Sequence, residues 1–160
     1  MNPVVDLDVA YVATPRNIVR QMLTLTGLRR GETLFDLGAG DGRILIEAAR
    51  GFGARAIGIE IDPQRVSRIK ERLRSTGIIA EILQADLMNV NLSTADVVAM
   101  YLSESVNAKV APKLERELKA GARIVSLDYP LPGWVPEKEV IAKGPLARKL
   151  FLYRVPKIRT

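Results

Sequence analysis

Residues 35–42 read F-D-L-G-A-G-D-G, and they constrain the fold of this chain more than any other stretch. The short apolar run of Thr33 and Leu34 precedes them and an amphipathic run at 43–50 follows, a pattern typical of a turn between a strand and a helix. Glycines at such a turn allow positive φ and let the backbone come close to a ligand. The sequence therefore predicts an α/β fold with a binding site at its first strand-to-helix turn.

The same turn carries two carboxylates, Asp36 and Asp41, beside its glycines Gly38, Gly40 and Gly42. A pyrophosphate group is anionic and is bound by bare amides at a helix N-terminus, so carboxylates at this place would repel it. A cationic ligand, or one rich in hydrogen-bond donors, suits them better. S-adenosylmethionine fits, because it carries an α-ammonium, a sulfonium and ribose hydroxyls.

Two later apolar runs also end in an acid. The run at 54–59 ends in Glu60, twenty positions after Gly40, where a carboxylate can accept both ribose hydroxyls. The run at 79–85 ends in Asp86, which can accept a hydrogen bond from an adenine amine, with Leu87 beside the ring. Ile61, next to Glu60, is a further candidate cofactor contact.

Two other interpretations of these acids stay open. Acids at strand ends can simply cap the next helix, as we expect of Asp62 before Pro63. A nicotinamide dinucleotide site shares the glycine turn and Glu60, but it does not predict Asp36 or Asp86.

On these residues the chain resembles class I S-adenosylmethionine-dependent methyltransferases. The run D-L-G-A-G-D-G matches the first motif of that family, Glu60 the second and Asp86 the third. Three segments are also similar to small archaeal protein-lysine methyltransferases of broad specificity. They are Y-V-A-T-P at 11–15, D-L-G-A-G-D-G-R-I at 36–44 and A-R-I-V-S-L-D-Y-P-L-P-G-W at 122–134. Their mitochondrial relatives methylate lysines of inner-membrane proteins. The resemblance covers most of the chain and implies S-adenosylmethionine as the cofactor and lysine as the acceptor.

The order of apolar runs predicts the fold class. Strands are expected at 33–37, 54–60, 79–85, 95–102 and 123–127, with helices at 43–50, 63–75 and 105–119 between them. A first helix should be capped by Thr14, with Pro15 at its first position, and end at Gly27. The runs at 139–142 and 149–155 have no helix between them and predict a hairpin. Alternation predicts a parallel sheet. The resemblance implies a Rossmann-like three-layer α/β sandwich with a seven-stranded, mostly parallel sheet, its last strand pair a hairpin.

Composition limits the domain organisation and the chemistry. With 160 residues, of which 48% are hydrophobic, we expect one domain over 1–160. No run of eighteen apolar residues and no leader pattern is present, so we expect no membrane span and a cytoplasmic location. The chain has no cysteine and no histidine, which excludes a thiolate nucleophile and a histidine base, and we expect no metal site. The excess of arginine over lysine favours a thermophilic source.

The acceptor should lie after the fourth strand, where the sequence reads M-Y-L-S-E at 100–104. Methyltransferases of adenine or glutamine amides usually carry Asn/Asp-Pro-Pro-Tyr there, and attack on a cytosine carbon needs a cysteine, so both are disfavoured. A lysine amine remains, but its pKa of about 10.4 leaves it protonated at pH 7, so the site must remove the proton or favour the neutral form by burial. Tyr101 and Tyr11 are the candidate catalytic residues, and Glu104 is a further polar group.

Each aromatic candidate also has a plainer interpretation. Tyr101 could be core packing, since its neighbours are apolar. Tyr11 should close over the methionine end of the cofactor, with Thr14 of the same segment a second contact, or it is an ordinary loop aromatic. Trp134 is equally suited to a substrate platform and to anchoring the hairpin.

Three functional hypotheses stay open, and the net charge of +6 does not decide between them. The first is a protein-lysine methyltransferase, whose partners are proteins with accessible lysines, basic chromatin-type proteins among them. The second is an RNA or small-molecule methyltransferase, because positive charge attracts nucleic acid, although aromatics at 5% of the chain make poor stacking platforms. The third is a non-catalytic S-adenosylmethionine-binding module.

Overall fold

The computed structural model describes residues 14–157, in which strands and helices alternate. The four helices of this part of the chain are α1 (Arg16–Thr26), α2 (Arg43–Phe52), α3 (Pro63–Thr76) and α4 (Glu104–Glu117), and a 3-10 turn covers Leu87–Asn89. The strands are β1 (Thr33–Leu37), β2 (Arg55–Glu60), β3 (Glu81–Gln84), β4 (Val97–Met100), β5 (Arg123–Leu127), β6 (Lys138–Ala142) and β7 (Arg148–Arg154).

The strands form one seven-stranded sheet in the order β3-β2-β1-β4-β5-β7-β6. Strands β1 to β5 pair in parallel, and β7 runs antiparallel to both β5 and β6. The predicted fold class, including the final hairpin, is confirmed. Because the chain leaves β1 towards β2 on one side and later returns to β4 on the other, the crevice beyond the carboxyl ends of β1 and β4 is a topological switch point, where open α/β sheets bind ligands.

The sheet separates two apolar cores. Leu34 packs with α1, α2 and α3 on one face, and Phe35 and Leu37 pack with α4 on the other, as alternation along a strand requires. Asp36 lies between Phe35 and Leu37, so its side chain points into the core that contains Leu34. A carboxylate is therefore buried at the strand that carries the glycine turn.

The predicted cap of the first helix is wrong. Pro15 is the residue before α1, with ψ at 145°, and its carbonyl accepts the amides of Ile18 and Val19. Thr14 therefore lies one residue too far back for its hydroxyl to reach those amides. It is buried instead, and its carbonyl accepts a hydrogen bond of 2.9 Å from Nη1 of Arg43.

Most other predicted boundaries hold within a few residues. Gly27 ends α1 in a left-handed conformation, and Asp62 caps α3 by accepting a hydrogen bond of 2.9 Å from the amide of Gln64. The third and fourth strands are shorter than expected. Strand β4 begins at Val97 and not at residue 95 as predicted. Just before it, the carboxylate of Asp96 accepts a hydrogen bond of 2.8 Å from the amide of Thr33. Across residues 14–157, none of the helices has the length and apolar character needed to cross a bilayer.

Candidate functional site

The turn between β1 and α2 needs glycine for its backbone shape. Gly38, Gly40 and Gly42 have φ of 72°, 61° and 81°, in the left-handed region. The amides of Gly38 and Ala39 both donate to the carbonyl of Ile59 at 2.9 Å, which ties the turn to the end of β2. A Cβ atom at Gly38 would come within 2.8 Å of the side chain of Leu102, so the turn is also closely packed.

Glu60 is fixed at the end of β2 by backbone amides. Its side chain is only 5% exposed, and Oε1 accepts the amide of Gly40 at 2.8 Å while Oε2 accepts the amide of Asp62 at 3.0 Å. Each carboxylate oxygen has a second lone pair. Glu60 is therefore held in place with oxygens that can accept further hydrogen bonds, and its predicted role towards the ribose hydroxyls stays a prediction.

A cavity of about 290 Å³ opens at this point, beyond the carboxyl ends of β1, β2 and β4. Its lining includes six of the predicted cofactor residues: Gly38, Gly40, Glu60, Ile61, Asp86 and Leu87. Apolar side chains flank the carboxylates, and that of Ile61 is 63% exposed, as expected of a surface that a flat ring covers. Asp86 also accepts the amide of Met88 at 2.9 Å. The carboxylate acceptors and apolar walls fit S-adenosylmethionine; that its ribose lies at Glu60 and its adenine at Ile61, Asp86 and Leu87 stays a prediction.

Asp36 of β1 is absent from the lining of this cavity. It is 1% exposed, and its Oδ2 has no hydrogen-bond partner among the described residues. Burial raises the pKa of Asp36 to about 7; the amide of Leu45 opposes this, and the carboxylates of Glu60 and Asp41 add to it. Since Asp36 is buried and does not line the cavity, its predicted contact with the cofactor stays a prediction.

The other predicted cofactor residues support the turn from outside the cavity lining. The Asp41 carboxylate accepts two hydrogen bonds from Arg43, one from the backbone amide at 3.1 Å and one from the guanidinium at 2.9 Å. Gly42 starts α2, and Thr14 holds Arg43 through its carbonyl. Direct contact of these residues with the cofactor stays a prediction, and Tyr11 lies outside the described residues.

Tyr101 follows β4, where the acceptor is predicted to lie, and lines the cavity. It is also half-buried against the core, so its catalytic role stays a prediction. Its ring is nearly parallel to that of Tyr129, at 12° with centroids 6.4 Å apart, and the guanidinium carbon of Arg148 is 5.4 Å from its centroid. Burial raises the pKa of the Tyr101 phenol, and the Asp128 carboxylate adds to the rise, whereas the charge of Arg148 opposes it. The phenol therefore stays neutral across the physiological range.

Sequence reasoning missed four residues near Tyr101, which are Asn107, Asp128, Tyr129 and Arg148. Asp128 and Tyr129 follow β5 directly, and the polar pair at the end of a buried strand was the available signal. Arg148 and Asn107 come from β7 and α4, so only the tertiary structure brings them to this place. Trp134 donates to the carbonyl of Ala111 at 3.2 Å and meets the ring of Tyr153 edge-on, which supports the anchoring role.

A surface depression lined by Ser103, Glu104, Ser105 and Tyr129 adjoins the cavity, which it meets at Ser103. Glu104 is exposed there in the first turn of α4, which Ser103 caps. Among residues 14–157, no group of acidic side chains has the arrangement of a metal site. The site thus consists of a cofactor-sized cavity and an outer mouth that carries aromatic and acidic groups.

Comparison with known proteins agrees with this geometry. Residues 36–138 match the family model of the ANTKMT methyltransferase domain. The chain is 37% identical over 149 residues to a protein-lysine N-methyltransferase of Saccharolobus islandicus, covering 91% of this chain and 92% of that protein. It is 38% identical over 133 residues to the adenine nucleotide translocase lysine N-methyltransferase of Mus musculus, covering 81% of this chain but only 57% of that longer protein.

A solved structure is similar over almost the whole fold. The RNA methyltransferase of Salinibacter ruber, crystallised with S-adenosyl-L-homocysteine, superposes with a TM-score of 0.87 at 38% identity. The match covers 93% of this chain and 97% of that one. The glycine turn, the Glu60 carboxylate and these similarities lead to one conclusion: the chain belongs to the ANTKMT methyltransferase domain family and is an S-adenosylmethionine-dependent methyltransferase.

Proposed function

We propose that this protein methylates the side-chain amine of lysine residues in protein substrates. The observation that carries the proposal is the composition of the acceptor mouth, where Tyr101 and Tyr129 lie beside the exposed carboxylate of Glu104. The similarity to a protein-lysine methyltransferase over 92% of its length supports it.

Electrostatics at the mouth favour a cationic acceptor. The whole chain has a net charge of +6, yet the depression is lined by Glu104, two serines and a tyrosine. A lysine ammonium is attracted to an exposed carboxylate and to aromatic faces, whereas a phosphate is repelled by the carboxylate. The mouth therefore favours a cationic acceptor, although the net positive charge of the whole chain favours anions.

For methyl transfer, this protein must orient the acceptor amine and exclude water from it. S-adenosylmethionine supplies a methyl group on a sulfonium when it is bound. The amine must arrive neutral, and the apolar side chains of Leu102 and Val106 in the cavity wall disfavour its charged form. The neutral Tyr101 hydroxyl can hold an amine N–H, so that the nitrogen lone pair points to the methyl group. Ser103, at the junction of cavity and depression, is placed to hydrogen-bond the same amine.

RNA is the second candidate acceptor. The similar Salinibacter ruber protein is named an RNA methyltransferase, and α3 carries five basic side chains, of which Arg65 lines the cavity. These side chains are Arg65, Arg68, Lys70, Arg72 and Arg74. Some are already engaged, since Arg65 lies 3.6 Å from Asp62 and Arg74 pairs with Glu71.

Methyl-group partition decides between the candidates. The protein is incubated with methyl-labelled S-adenosylmethionine and one of three acceptors. These are a synthetic peptide with a single lysine, the same peptide with that lysine trimethylated so that it can accept no further methyl group, and total RNA. We expect label in the free-lysine peptide only. Label in RNA with none in either peptide would overturn the proposal and transfer it to RNA.

Finer aspects belong to the same proposal. Broad specificity is supported by a mouth that is open to solvent, and basic chromatin-type proteins suit its acidic character. A cytoplasmic location and a thermophilic source rest on composition. Mass spectrometry of a whole-cell protein mixture treated with the enzyme should show added methyl groups on lysines of several proteins.

A further inference from the structure

The turn after β5 has a strained backbone. Asp128 has φ of 66°, and it is the one residue other than glycine with positive φ in the described part of the chain. Such a conformation persists where the surroundings hold it firmly, and it is frequent at functional sites. Arg148 holds the Asp128 side chain with three hydrogen bonds, two from Nε at 3.0 Å and one from Nη2 at 2.8 Å.

The next two residues are fixed from the opposite side. Asn107 of α4 is completely buried, and its amide nitrogen donates to the carbonyls of Tyr129 and Pro130, each at 3.1 Å. The hydroxyl of Ser126 donates to the same Tyr129 carbonyl at 2.6 Å. The backbone of Tyr129 is thus set by a strained residue before it and by buried donors behind it.

These contacts place two aromatic rings in a row. The Tyr129 ring faces the outer depression, and the Tyr101 ring, inclined by only 12° to it, lines the cofactor cavity. Arg148, which binds Asp128, also lies over the Tyr101 ring. One ring therefore lines the outer depression, and the neighbouring ring lines the cavity.

We propose that this pair of rings, which we call the tyrosine wall, binds the aliphatic part of the acceptor side chain. Tyr129 contacts the outer methylenes and determines specificity for a long chain, and Tyr101 lies nearer the amine. Asp128, Arg148 and Asn107 are positioning residues that hold the wall. The inference rests on the proposed lysine acceptor and adds the residues that recognise it.

The chemistry of the wall matches lysine. Aromatic faces pack well against methylene chains, and their negative potential tolerates a cationic end until the amine loses its proton. A chain shorter by one methylene cannot reach along both rings to the cavity. A peptide with ornithine in place of lysine should therefore be a poor acceptor.

Binding of an unreactive analogue tests the wall without turnover. The probe is the single-lysine peptide with norleucine at the lysine position, titrated into the protein that is saturated with S-adenosylhomocysteine. We expect Tyr129→Ala to weaken binding of this peptide about 10-fold and to raise KM for the lysine peptide by a similar factor, with kcat changed less. Tyr129→Phe should bind the peptide as the wild type does. An alanine variant within twofold of wild type would overturn the proposal.

Two controls separate recognition from folding. S-adenosylhomocysteine affinity, measured by calorimetry, should be the same in wild type, Tyr129→Ala and Tyr129→Leu. The leucine variant keeps an apolar side chain, so it gives the same test if alanine loosens the turn. Weaker norleucine-peptide binding by Tyr129→Leu supports the wall, and unchanged binding contradicts it.

The positioning role of Arg148 has a matched control on the same strand. Arg154 of β7 also pairs with a carboxylate, that of Glu137 at 2.8 Å, but it lies outside the site. We expect Arg148→Met to raise KM for the lysine peptide and Arg154→Met to leave it unchanged. Equal effects of both substitutions would overturn the role of Arg148.

Failure of the wall and failure of the proposed function give different results. If wild type labels RNA and leaves the lysine peptide unlabelled, the lysine acceptor is wrong and the wall falls with it. If wild type methylates the lysine peptide while Tyr129→Ala and Tyr129→Leu keep its KM, the wall alone is wrong.

Discussion

At the scale of single residues, two buried carboxylates on neighbouring strands have different hydrogen-bond partners. Glu60 has a backbone amide on each oxygen, whereas Asp36 has an oxygen without a partner. Hydrogen bonds to a carboxylate stabilise its charge, and burial without them disfavours it. We therefore expect substitutions of Glu60 to act on cofactor affinity and those of Asp36 to act on the pH dependence of stability.

Glu60→Gln should weaken S-adenosylmethionine binding by about 1.5–3 kcal/mol, because it removes charge-assisted hydrogen bonds to the ribose. Glutamine is a better choice than alanine, since its remaining oxygen can still accept one of the amides of Gly40 and Asp62. Calorimetric titration measures the change. Gln84 →Ala, at the end of β3 and exposed, is a control that should not alter the affinity. Wild-type affinity in Glu60→Gln would show that Glu60 serves the turn alone.

Asp36 should make folding stability fall as pH rises. Its pKa is about 7 in the folded protein and 3.8 in the absence of burial. A buried acid with a raised pKa contributes most when it is protonated, so stability declines from about pH 4 to about pH 7 by at most roughly 1.4 kcal/mol per unit and is level above. Asp36→Asn should lack this decline. Urea unfolding of both proteins at pH 5, 6, 7 and 8 tests it, and parallel curves would contradict it.

At the scale of elements, the turn between β1 and α2 combines backbone strain with close packing. Gly38 and Gly77 have φ of 72° and 71°, but only a Cβ at Gly38 meets another atom, the Leu102 side chain, whereas nothing lies within 4 Å at Gly77. The pair separates the cost of a left-handed backbone from the cost of filling the site.

Gly38→Ala and Gly77→Ala should both lower the free energy of unfolding by about 1–2 kcal/mol, because each forces alanine into positive φ. Only Gly38→Ala should weaken binding of S-adenosylmethionine, since its methyl group pushes Leu102, which lines the cavity. Chemical denaturation and calorimetry measure the two effects. Equal cofactor affinity in both variants would show that the packing at Gly38 does not shape the site.

At the scale of the whole molecule, one buried ion pair joins distant parts of the chain. Arg123 at the start of β5 donates two hydrogen bonds to Glu32 at 2.9 and 2.7 Å, and others to the carbonyls of Thr26 and Gly27. It thereby fixes the end of α1 and the loop before β1 to the middle of the sheet. The Arg123 guanidinium lowers the pKa of Glu32 to about 2.

Glu32 should therefore contribute to acid resistance. A carboxylate with a lowered pKa stabilises the fold above its unfolded value of 4.5, and this contribution of about 2–3 kcal/mol is lost as pH falls towards about 2. Glu32→Gln should be less stable at pH 7, with a shallower loss between pH 5 and pH 2. Glu137→Gln, at an exposed pair with Arg154, should change both less. Identical acid transitions in wild type and Glu32→Gln would contradict the prediction.

The pH dependence of methylation concerns the whole protein. The fraction of neutral lysine rises tenfold per pH unit below its pKa of about 10.4, so the rate should rise well above pH 7. The chain has no histidine whose titration could add a descending limb. Initial rates on the single-lysine peptide from pH 6 to 10 test this, and a maximum near pH 7 with a decline above it would contradict it.

The sequence by itself determined the elements and the cofactor side of the site. Glycines at positive φ and an acid at the end of β2 act within or next to their own turn, so the local pattern F-D-L-G-A-G-D-G and its spacing to Glu60 predicted them. The order of apolar runs likewise predicted the sheet. The cap at Thr14 was misassigned because the extended conformation of Pro15 shifted the start of α1 by one residue.

Only the tertiary structure decided the acceptor side. Asn107 and Arg148 reach the turn at Asp128 from 21 and 20 positions away in the chain, through the packing of α4 and the antiparallel return of β7. The positive φ of Asp128 is equally invisible in the sequence, since only a small fraction of aspartates adopt it. Local patterns encode turns and strand ends, whereas a site assembled from three elements depends on how those elements pack.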